Sequence, residues 1–330
     1  MTQEQTLTIS LYDGLMAAIV GDYMGVPVEF RSREFLQENP VTEPLGNGTY
    51  QQPPGTWSDD SSMLIATVAS LTNHNLMINY GDLMDSFAAW YFDSMFTPHG
   101  EVFNVGNTTA AALRNYRSGV EPTRCGGSGL RDNGNGSLMR ILPLAYIKCT
   151  NEEIDRVSAL THSHKISKLA CRIYVRIVQK LLALRQTYAP EGMPERLEPP
   201  RKELYHRKIV DVIENLVTPE MQDYVIAEAF HRLANIDTYT INDINSSGYV
   251  VDSLEAALWC FLTTDTLSAC ILKAVNLGVD TDTIGCLAGG LAGSWYGGRV
   301  IPQTWLEVCA KRDKIVELCN VFDKIAAENK

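Results

Sequence analysis

Helical periodicity is the feature of this chain that most constrains its fold. Apolar residues recur at the spacing that buries one face of a helix. The segments with this pattern are 8–24, 61–72, 82–92, 107–117, 151–160, 165–187, 204–216, 219–234, 252–263, 266–277, 283–296 and 312–327. Alternating strand patterns are scarce, and the best strand candidate, GYVVDS at 248–253, leads directly into a predicted helix. The sequence therefore predicts an all-α fold.

The same pattern predicts a single domain over residues 1–330. A chain of 330 residues is long enough to bury a large core. Only one segment, APEGMPERLEPPR at 189–201, has the composition of irregular structure. Predicted helices of the same character lie on both sides of it. We therefore predict a surface loop within the domain at 189–201, rather than a linker between domains.

Charge argues against one broad class of function. The chain has 28 Lys and Arg against 39 Asp and Glu, a net charge of −11, and no basic cluster resembling a phosphate-tracking surface. A nucleic-acid partner is therefore not expected. The acidity is compatible with cation binding but does not establish it.

Cysteine usage and hydropathy predict a cytoplasmic protein. The eight cysteines form no C-x-x-C pair and are expected to be reduced and mostly buried. No apolar run reaches the roughly 20 residues that span a bilayer. The N-terminal MTQEQTLTIS lacks the basic and apolar regions of a signal peptide. We expect a monomer without membrane association.

Two acidic clusters lie at predicted helix starts, far apart in the chain. GTWSDDSS (55–62) places Asp59 and Asp60 ahead of one helix, and LGVDTDTIG (277–285) places Asp280 and Asp282 ahead of another. Free N–H groups and the helix dipole stabilise negative charge at such positions. One Ser, Thr or Asp is enough to cap a helix, whereas further carboxylates nearby repel one another. We therefore predict that a bound cation neutralises the negative charge of the carboxylates that capping does not need.

The candidate ligands in these clusters supply only oxygen. Four aspartates with Ser and Thr hydroxyls, and no Cys or His, favour one or two Mg²⁺ or Mn²⁺ ions. They leave Ca²⁺ open and disfavour zinc. A calcium-binding EF-hand loop beginning at Asp280 would need Asp or Asn in place of Ile284 and Glu in place of Leu291. A phosphatase-type aspartate nucleophile would follow a buried strand, whereas this motif follows a predicted helix, so both alternatives fail.

A row of glycines follows the second cluster. Gly285, Gly289 and Gly293 lie four residues apart on one helix face. The segment is too short, and too polar at its ends, for a membrane dimerisation motif. Since glycine costs helix stability, the row needs a packing reason. We predict close backbone contact with a neighbouring helix, which would carry the second cluster towards the first.

These motifs together resemble one known family. Paired [ST]-D-D-[ST] and D-x-D-T clusters at two helix starts, with GDYMGVPVEF (21–30) upstream, look like those of the ADP-ribosylglycohydrolases, a group that includes dinitrogenase reductase-activating glycohydrolase. NGSLMRILPLA, THSH and GYVVDSLEAALWCF follow in the family's order, and the resemblance covers roughly residues 10–300. It implies a single-domain orthogonal multi-helix bundle that cleaves the glycosidic bond between ADP-ribose and an acceptor at a centre of two divalent cations, Mg²⁺ or Mn²⁺.

The resemblance also implies roles for individual residues. The metal ligands would be Ser58, Asp59, Asp60, Asp280, Asp282 and Thr283, where Ser58 replaces the more usual Thr and keeps its hydroxyl. Glycosidic cleavage passes through an oxocarbenium-like state and needs carboxylates to handle protons, and a dinuclear centre can orient ribose hydroxyls and activate water. We expect Glu29, Asp60 or Asp282 to manage the proton of the attacking water, with Asp22 a further candidate.

One position departs from the family pattern. Many relatives have F-D-I-G-N where this chain has Phe103, Asn104, Val105, Gly106 and Asn107. The family's Asp is thought to assist proton transfer, and Asn104 cannot ionise. The replacement implies either a shifted acceptor preference or weaker activity at this catalytic position. Asn107 still matches a residue expected to contact the substrate.

Further residues are candidates for binding ADP-ribose. The backbone N–H groups of GGSGLRDNGNGSLMR (126–140), ahead of a predicted helix start at Ser137, would cradle the diphosphate, with Asn135, Gly136 and Ser137 as contacts. His162 either lines the cleft or is structural, and His164 is not expected in the site. Tyr249, beside Gly248, either stacks on adenine or packs; both readings stay open.

The leading functional hypothesis is therefore a metal-dependent hydrolase that removes ADP-ribose from protein arginine. Its partners would be an ADP-ribosylated protein and ADP-ribose. One alternative is an ADP-ribose-binding protein, or a crystallin-like structural relative, with little or no turnover. Another is a hydrolase of a non-protein conjugate such as modified nucleic acid or O-acetyl-ADP-ribose. The acidic composition of the chain makes a nucleic-acid substrate the less favoured of these two.

Overall fold

The computed structural model of the protein describes residues 9–188 and 199–329. Its α-helices are α1 (Leu11–Gly25), α2 (Arg33–Glu38), α3 (Asp59–Asn73), α4 (Tyr80–Asp93), α5 (Asn107–Arg117), α6 (Asn151–Ala159), α7 (Lys165–Tyr188), α8 (Pro199–Val217), α9 (Tyr224–Phe230), α10 (Val250–Leu262), α11 (Leu267–Val275), α12 (Thr281–Tyr296), α13 (Gln303–Val308) and α14 (Arg312–Glu328). Within these described ranges there are isolated β-bridges but no strand. The prediction of an all-α fold is confirmed.

Every predicted helix has a counterpart, but some details of the prediction are wrong. The strand candidate at 248–253 is instead the start of α10, where the β-branched pair Val250 and Val251 forms the first helical turn. The helix predicted over 219–234 is interrupted, because only Tyr224–Phe230 is α-helical and 3₁₀ turns flank it. The loop predicted over 189–201 ends earlier, since α8 begins at Pro199, and its remainder lies outside the described residues.

Helices α1 and α12 form the centre of the molecule, and nearly all of their residues are buried. The glycine row lets their backbones touch. A Cβ placed on Gly289 would lie 2.2 Å from the carbonyl oxygen of Ala17, and one on Gly285 would lie 2.3 Å from that of Gly21. Only glycine fits at such distances. The predicted close contact is confirmed, and it brings the start of α12 beside the C-terminal half of α1.

An ion pair inside the core ties α1 to α7. The Arg185 guanidinium lies 2.8 Å from the Asp13 carboxylate, and both side chains are largely buried. Asp13 also accepts the backbone N–H of Gly298 at 2.8 Å. The pair therefore anchors the N-terminal part of α1, at the end away from the acidic clusters.

None of the helices in the described ranges combines the length and apolar character that crossing a bilayer requires.

Candidate metal centre and binding cleft

The first acidic cluster begins α3, where other groups do the capping. Ser58 is the N-cap and its hydroxyl accepts the N–H of Asp60 at 3.2 Å. Asp22, reaching across from α1, accepts the N–H groups of Ser58 (3.1 Å) and Ser61 (3.0 Å) and the Ser61 hydroxyl (2.5 Å). Ser58 and Asp22 thus satisfy the N–H groups of Asp60 and Ser61, so the carboxylate of Asp60 is not needed as a cap.

The second cluster begins α12 and meets the first. The Asp282 carboxylate accepts the N–H of Thr283 at 2.9 Å, whereas Asp280, at the N-cap position, makes no side-chain cap bond. Asp280 instead accepts the side-chain amide of Asn135 at 2.7 Å. The hydroxyls of Ser58 (3.0 Å) and Thr283 (3.4 Å) both donate to Oδ2 of Asp60. A single carboxylate oxygen thus joins two helix starts that are far apart in sequence.

Two groups of three carboxylates arise from this meeting. Asp22, Asp60 and Asp282 place oxygens within 4.8 Å of one another, and so do Glu29, Asp280 and Asp282. Asp282 belongs to both groups. Oδ1 of Asp60 is buried and has no hydrogen-bond partner among the described residues, a costly arrangement unless something else satisfies it. Hard oxygen donors clustered in this way fit Mg²⁺ or Mn²⁺.

The charges of these carboxylates are poorly compensated by the protein. Burial raises the pKa of Asp22 to about 6, against the opposing hydrogen bonds from Ser61 and Ser58. Burial, reinforced by the nearby Asp280 carboxylate, raises the pKa of Glu29 to about 7. Burial and neighbouring carboxylates raise the pKa values of Asp59, Asp60 and Asp282 well above the ordinary range. A bound cation would remove the repulsion that contributes to these shifts.

Asn104 bridges the carboxylates of Glu29 and Asp282 through its side-chain amide. Its Nδ2 donates to Oε2 of Glu29 and to Oδ2 of Asp282, each at 2.8 Å. Its backbone is left-handed, with φ of 56°, a conformation that Asn tolerates better than most residues. An ionised aspartate in this place would have no hydrogen to donate to either carboxylate. The exchange of Asp for Asn therefore changes the hydrogen bonding of the centre as well as its charge.

A cavity of about 270 Å³ opens above the carboxylates. Its lining includes most of the residues predicted for the site: Glu29, Asp59, Asp60, Asn104, Asn107, Asn135, Gly136, His162, Gly248, Asp280 and Thr283. Ser58 and Asp282 lie just beneath this surface, joined to it through Asp60 and Asn104. The structure thus brings all the predicted metal-ligand and catalytic residues together.

Two predicted substrate contacts lie elsewhere. Ser137 begins no α-helix; it ends a 3₁₀ turn, is buried, and points its hydroxyl towards Ser158 at 3.0 Å, away from the cleft. The backbone N–H of Asn135 is also occupied, by the carbonyl of Gly248 at 3.1 Å. Tyr249 is outside the cavity lining and borders an adjacent cavity of about 480 Å³. The predicted phosphate cradle therefore has fewer available donors than the sequence suggested.

Several features of the site carried no local sequence signal. Asp22 was considered only for proton handling, but it is part of one carboxylate group and caps α3. Tyr50 hydrogen-bonds to Glu29 from a loop that has no motif. Phe30, Thr109 and Met139 complete the cavity wall.

Comparisons with known proteins agree with this geometry. The family model for ADP-ribosylglycohydrolase matches residues 5–330. The chain is 30% identical to the ADP-ribosyl-[dinitrogen reductase] glycohydrolase of Rhodospirillum rubrum, over 93% of each protein. It is 26% identical to the ADP-ribosylarginine hydrolase Tri1 of Serratia proteamaculans, over 95% of this chain and 79% of the relative.

A solved structure supports the same assignment. A chain of an ADP-ribosylglycohydrolase-related protein complex superimposes with a TM-score of 0.72 at 26% identity, covering 95% of this chain and 96% of the other. The family match spans nearly the whole sequence, and the fold agrees with it. The chain therefore belongs to the ADP-ribosylglycohydrolase family.

Proposed function

We propose that this protein is a metal-dependent hydrolase that releases ADP-ribose from modified arginine on proteins. The observation that carries the proposal is the meeting of two acidic helix starts, with Asp282 shared between both carboxylate groups, beneath a cavity lined by the other candidate residues. Relatives named as acting on ADP-ribosylarginine and on ADP-ribosylated dinitrogen reductase support the choice of acceptor.

The ligands that we propose for two Mg²⁺ or Mn²⁺ ions are Ser58, Asp59, Asp60, Asp280, Asp282 and Thr283, and Asp22 and Glu29 complete the carboxylate shell. When bound, the cations would supply positive charge that polarises ribose oxygens and favours ionisation of water. The unpartnered Asp60 Oδ1 and the all-oxygen donor set both suit such ions.

The protein's own groups have distinct parts in this proposal. Glu29 lines the cavity and, with Oε2 held by Asn104, is oriented to accept a proton from the attacking water. Asn135 keeps Asp280 in place through its amide. Asn107, Gly136, Gly248 and His162 form the wall against which ADP-ribose would lie, while contacts from Ser137 and Tyr249 remain predictions without support from the cavity lining.

The test is release of free ADP-ribose from an ADP-ribosyl-arginine protein, with Mg²⁺ or Mn²⁺ and with a chelator. The wild type should release it only with the cation, and Asp282→Ala should lower the rate at least about 100-fold. Asp313→Ala is the matched control, because Asp313 also lies in the first turn of a helix, α14, but is exposed and remote from the cleft. Absence of release by the wild type with either cation would overturn the proposal, and release that survives chelation would overturn its metal requirement.

Asn104 favours a second candidate, an ADP-ribose-binding protein with little turnover. Its amide cannot ionise and holds Glu29 and Asp282 together. Under this alternative the wild type would bind ADP-ribose without releasing it from any acceptor, and Asn104→Asp would restore release.

A further inference from the structure

A buried guanidinium stands directly behind the cavity wall. Arg140 is fully buried, and no carboxylate among the described residues pairs with it. It donates to the carbonyls of Gly136 (2.5 Å) and Val157 (3.1 Å) and to the hydroxyl of Thr161 (2.9 Å), and its charge lies 4.7 Å from the centre of the Phe87 ring. A buried cation without a counter-charge is expensive to keep. Its contacts point to a role at the cleft.

The contact with Thr161 determines which way a hydrogen bond runs. Arginine can only donate, so the Thr161 hydroxyl must accept from it. That hydroxyl has one hydrogen of its own, and Nδ1 of His162 lies 2.8 Å away. No other acceptor for this hydrogen is present in the described part of the chain. Donation from the Thr161 hydroxyl to Nδ1 of His162 gives this hydrogen its acceptor, and in that arrangement Nδ1 is unprotonated.

The other ring nitrogen of His162 faces the cavity. The ring lines the cavity wall, and a Cβ placed on either Gly134 or Gly136 would lie 3.5 Å from Nε2. Across residues 9–188 and 199–329, no protein group forms a hydrogen bond with Nε2. Because Nδ1 is the acceptor, a neutral ring carries its hydrogen on Nε2 and presents it to the cavity.

Burial, together with a neighbouring positive charge, keeps the ring neutral. Burial, and then the positive charge of Arg140, lowers the pKa of His162 to about 3. A neutral N–H donor can bind a hydroxyl or phosphoryl oxygen without adding charge beside the metal centre. It also keeps this capacity over the whole physiological pH range.

We infer that Arg140, acting through Thr161, fixes His162 as a neutral imidazole whose Nε2–H donates to an oxygen of bound ADP-ribose. Arg140 and Thr161 are positioning residues, since only His162 reaches the cavity. The identity of the ligand rests on the proposed function, whereas the orientation of the hydrogen bonds does not.

The first experiment measures the tautomer directly, without ligand. Long-range ¹H–¹⁵N correlation spectra of the protein labelled at histidine distinguish Nε2–H, Nδ1–H and doubly protonated rings, and His162→Asn identifies the signal among the six histidines. The wild type and Thr161→Ser should both show the Nε2–H form from pH 6 to 8. Thr161→Val, which keeps the shape but removes the donor, should populate the Nδ1–H form. Arg140→Met should do the same, because the freed hydroxyl can then accept from Nδ1–H.

The second experiment measures ADP-ribose binding by calorimetry. Thr161→Val should weaken binding about tenfold, the value of one hydrogen bond, and Thr161→Ser should stay within about twofold of the wild type. A wild-type ring that is doubly protonated or Nδ1–H, or a Thr161→Val spectrum identical to the wild type, overturns the inferred relay. Equal ADP-ribose affinity in the wild type and Thr161→Val overturns its role in binding. If the wild type binds no ADP-ribose although its tautomer is as expected, the proposed function fails and the relay stands.

Discussion

Replacing Gly289 by alanine tests the contact that assembles the molecule. The added Cβ would lie 2.2 Å from the Ala17 carbonyl oxygen, 2.8 Å from its carbon and 3.2 Å from Cα of Ala18. All three atoms belong to the backbone of α1, so no change of side-chain rotamer can relieve the overlap. Helices α1 and α12 would have to separate by about 1 Å, which opens the packing of the core.

Two effects of opposite sign determine how much Gly289→Ala changes the free energy of unfolding. Alanine is a better helix former than glycine by about 1 kcal/mol. Overpacking a well-filled core typically costs about 1–3 kcal/mol, and a clash with backbone on both sides belongs at or above the upper end of that range. The expected net loss in the free energy of unfolding is therefore about 2 kcal/mol or more. The displacement should also weaken Mn²⁺ binding, because α12 begins with the second acidic cluster.

Denaturant unfolding of the wild type, of Gly289→Ala and of a control variant measures this loss of unfolding free energy. Gly81→Ala in α4 is the matched control, since the nearest atom to its added Cβ is a side-chain oxygen of Asn79 at an ordinary 3.4 Å. It should be neutral or stabilising by up to about 1 kcal/mol. If Gly289→Ala unfolds at the same denaturant concentration as the wild type, or gains stability as the control does, the backbone contact between α1 and α12 is refuted.

Three further changes give distinct expectations. Asn104→Asp removes two hydrogen bonds and adds a carboxylate, so in chelator it should lose about 2 kcal/mol of unfolding free energy and regain it with Mn²⁺; equal stability in chelator would contradict this. Burial, only partly offset by Arg232, raises the pKa of Glu255 from 4.5 to about 7, so its stabilising effect is complete below pH 4.5 and is lost as the pH rises through 7. The unfolding free energy of the wild type should therefore fall by about 3 kcal/mol relative to that of Glu255→Gln between pH 4.5 and 7. If the unfolding free energies of the two proteins change with pH in parallel, the raised pKa of Glu255 is refuted. Asp13→Asn leaves the buried Arg185 charge unpaired and should cost about 3 kcal/mol in denaturant unfolding; a loss below about 1 kcal/mol would mean that the pair is well solvated.

Sequence patterns predicted the helices well because burial on one face leaves a regular apolar spacing. The apolar pattern did not predict α2 and α13, because each has only six residues and too few turns to establish a period. The pattern also led to a wrong prediction at the start of α10. The β-branched residues Val250 and Val251 are typical of strands, but they are tolerated in this helix, which is buried on nearly all sides.

The candidate metal centre was predictable for a different reason. An excess of carboxylates over what capping needs is visible in the sequence, and so is the glycine row that brings α12 against α1. The second role of Asp22 was not visible, because it depends on which helix start lies opposite that side chain. Likewise, the inward direction of the Ser137 hydroxyl follows from a 3₁₀ turn that no sequence pattern distinguishes from a helix start.

The pairing of α1 with α12 has a consequence for synthesis on the ribosome. Helix α1 is translated long before α12, its main partner, yet nearly all of its residues are buried. Until α12 is translated, the face of α1 that packs against it stays uncovered, although the carboxylate of Asp22 can already cap the start of α3. Such long-range contacts slow folding and expose intermediates to aggregation. The nascent protein should therefore depend on chaperones until α12 has left the ribosome.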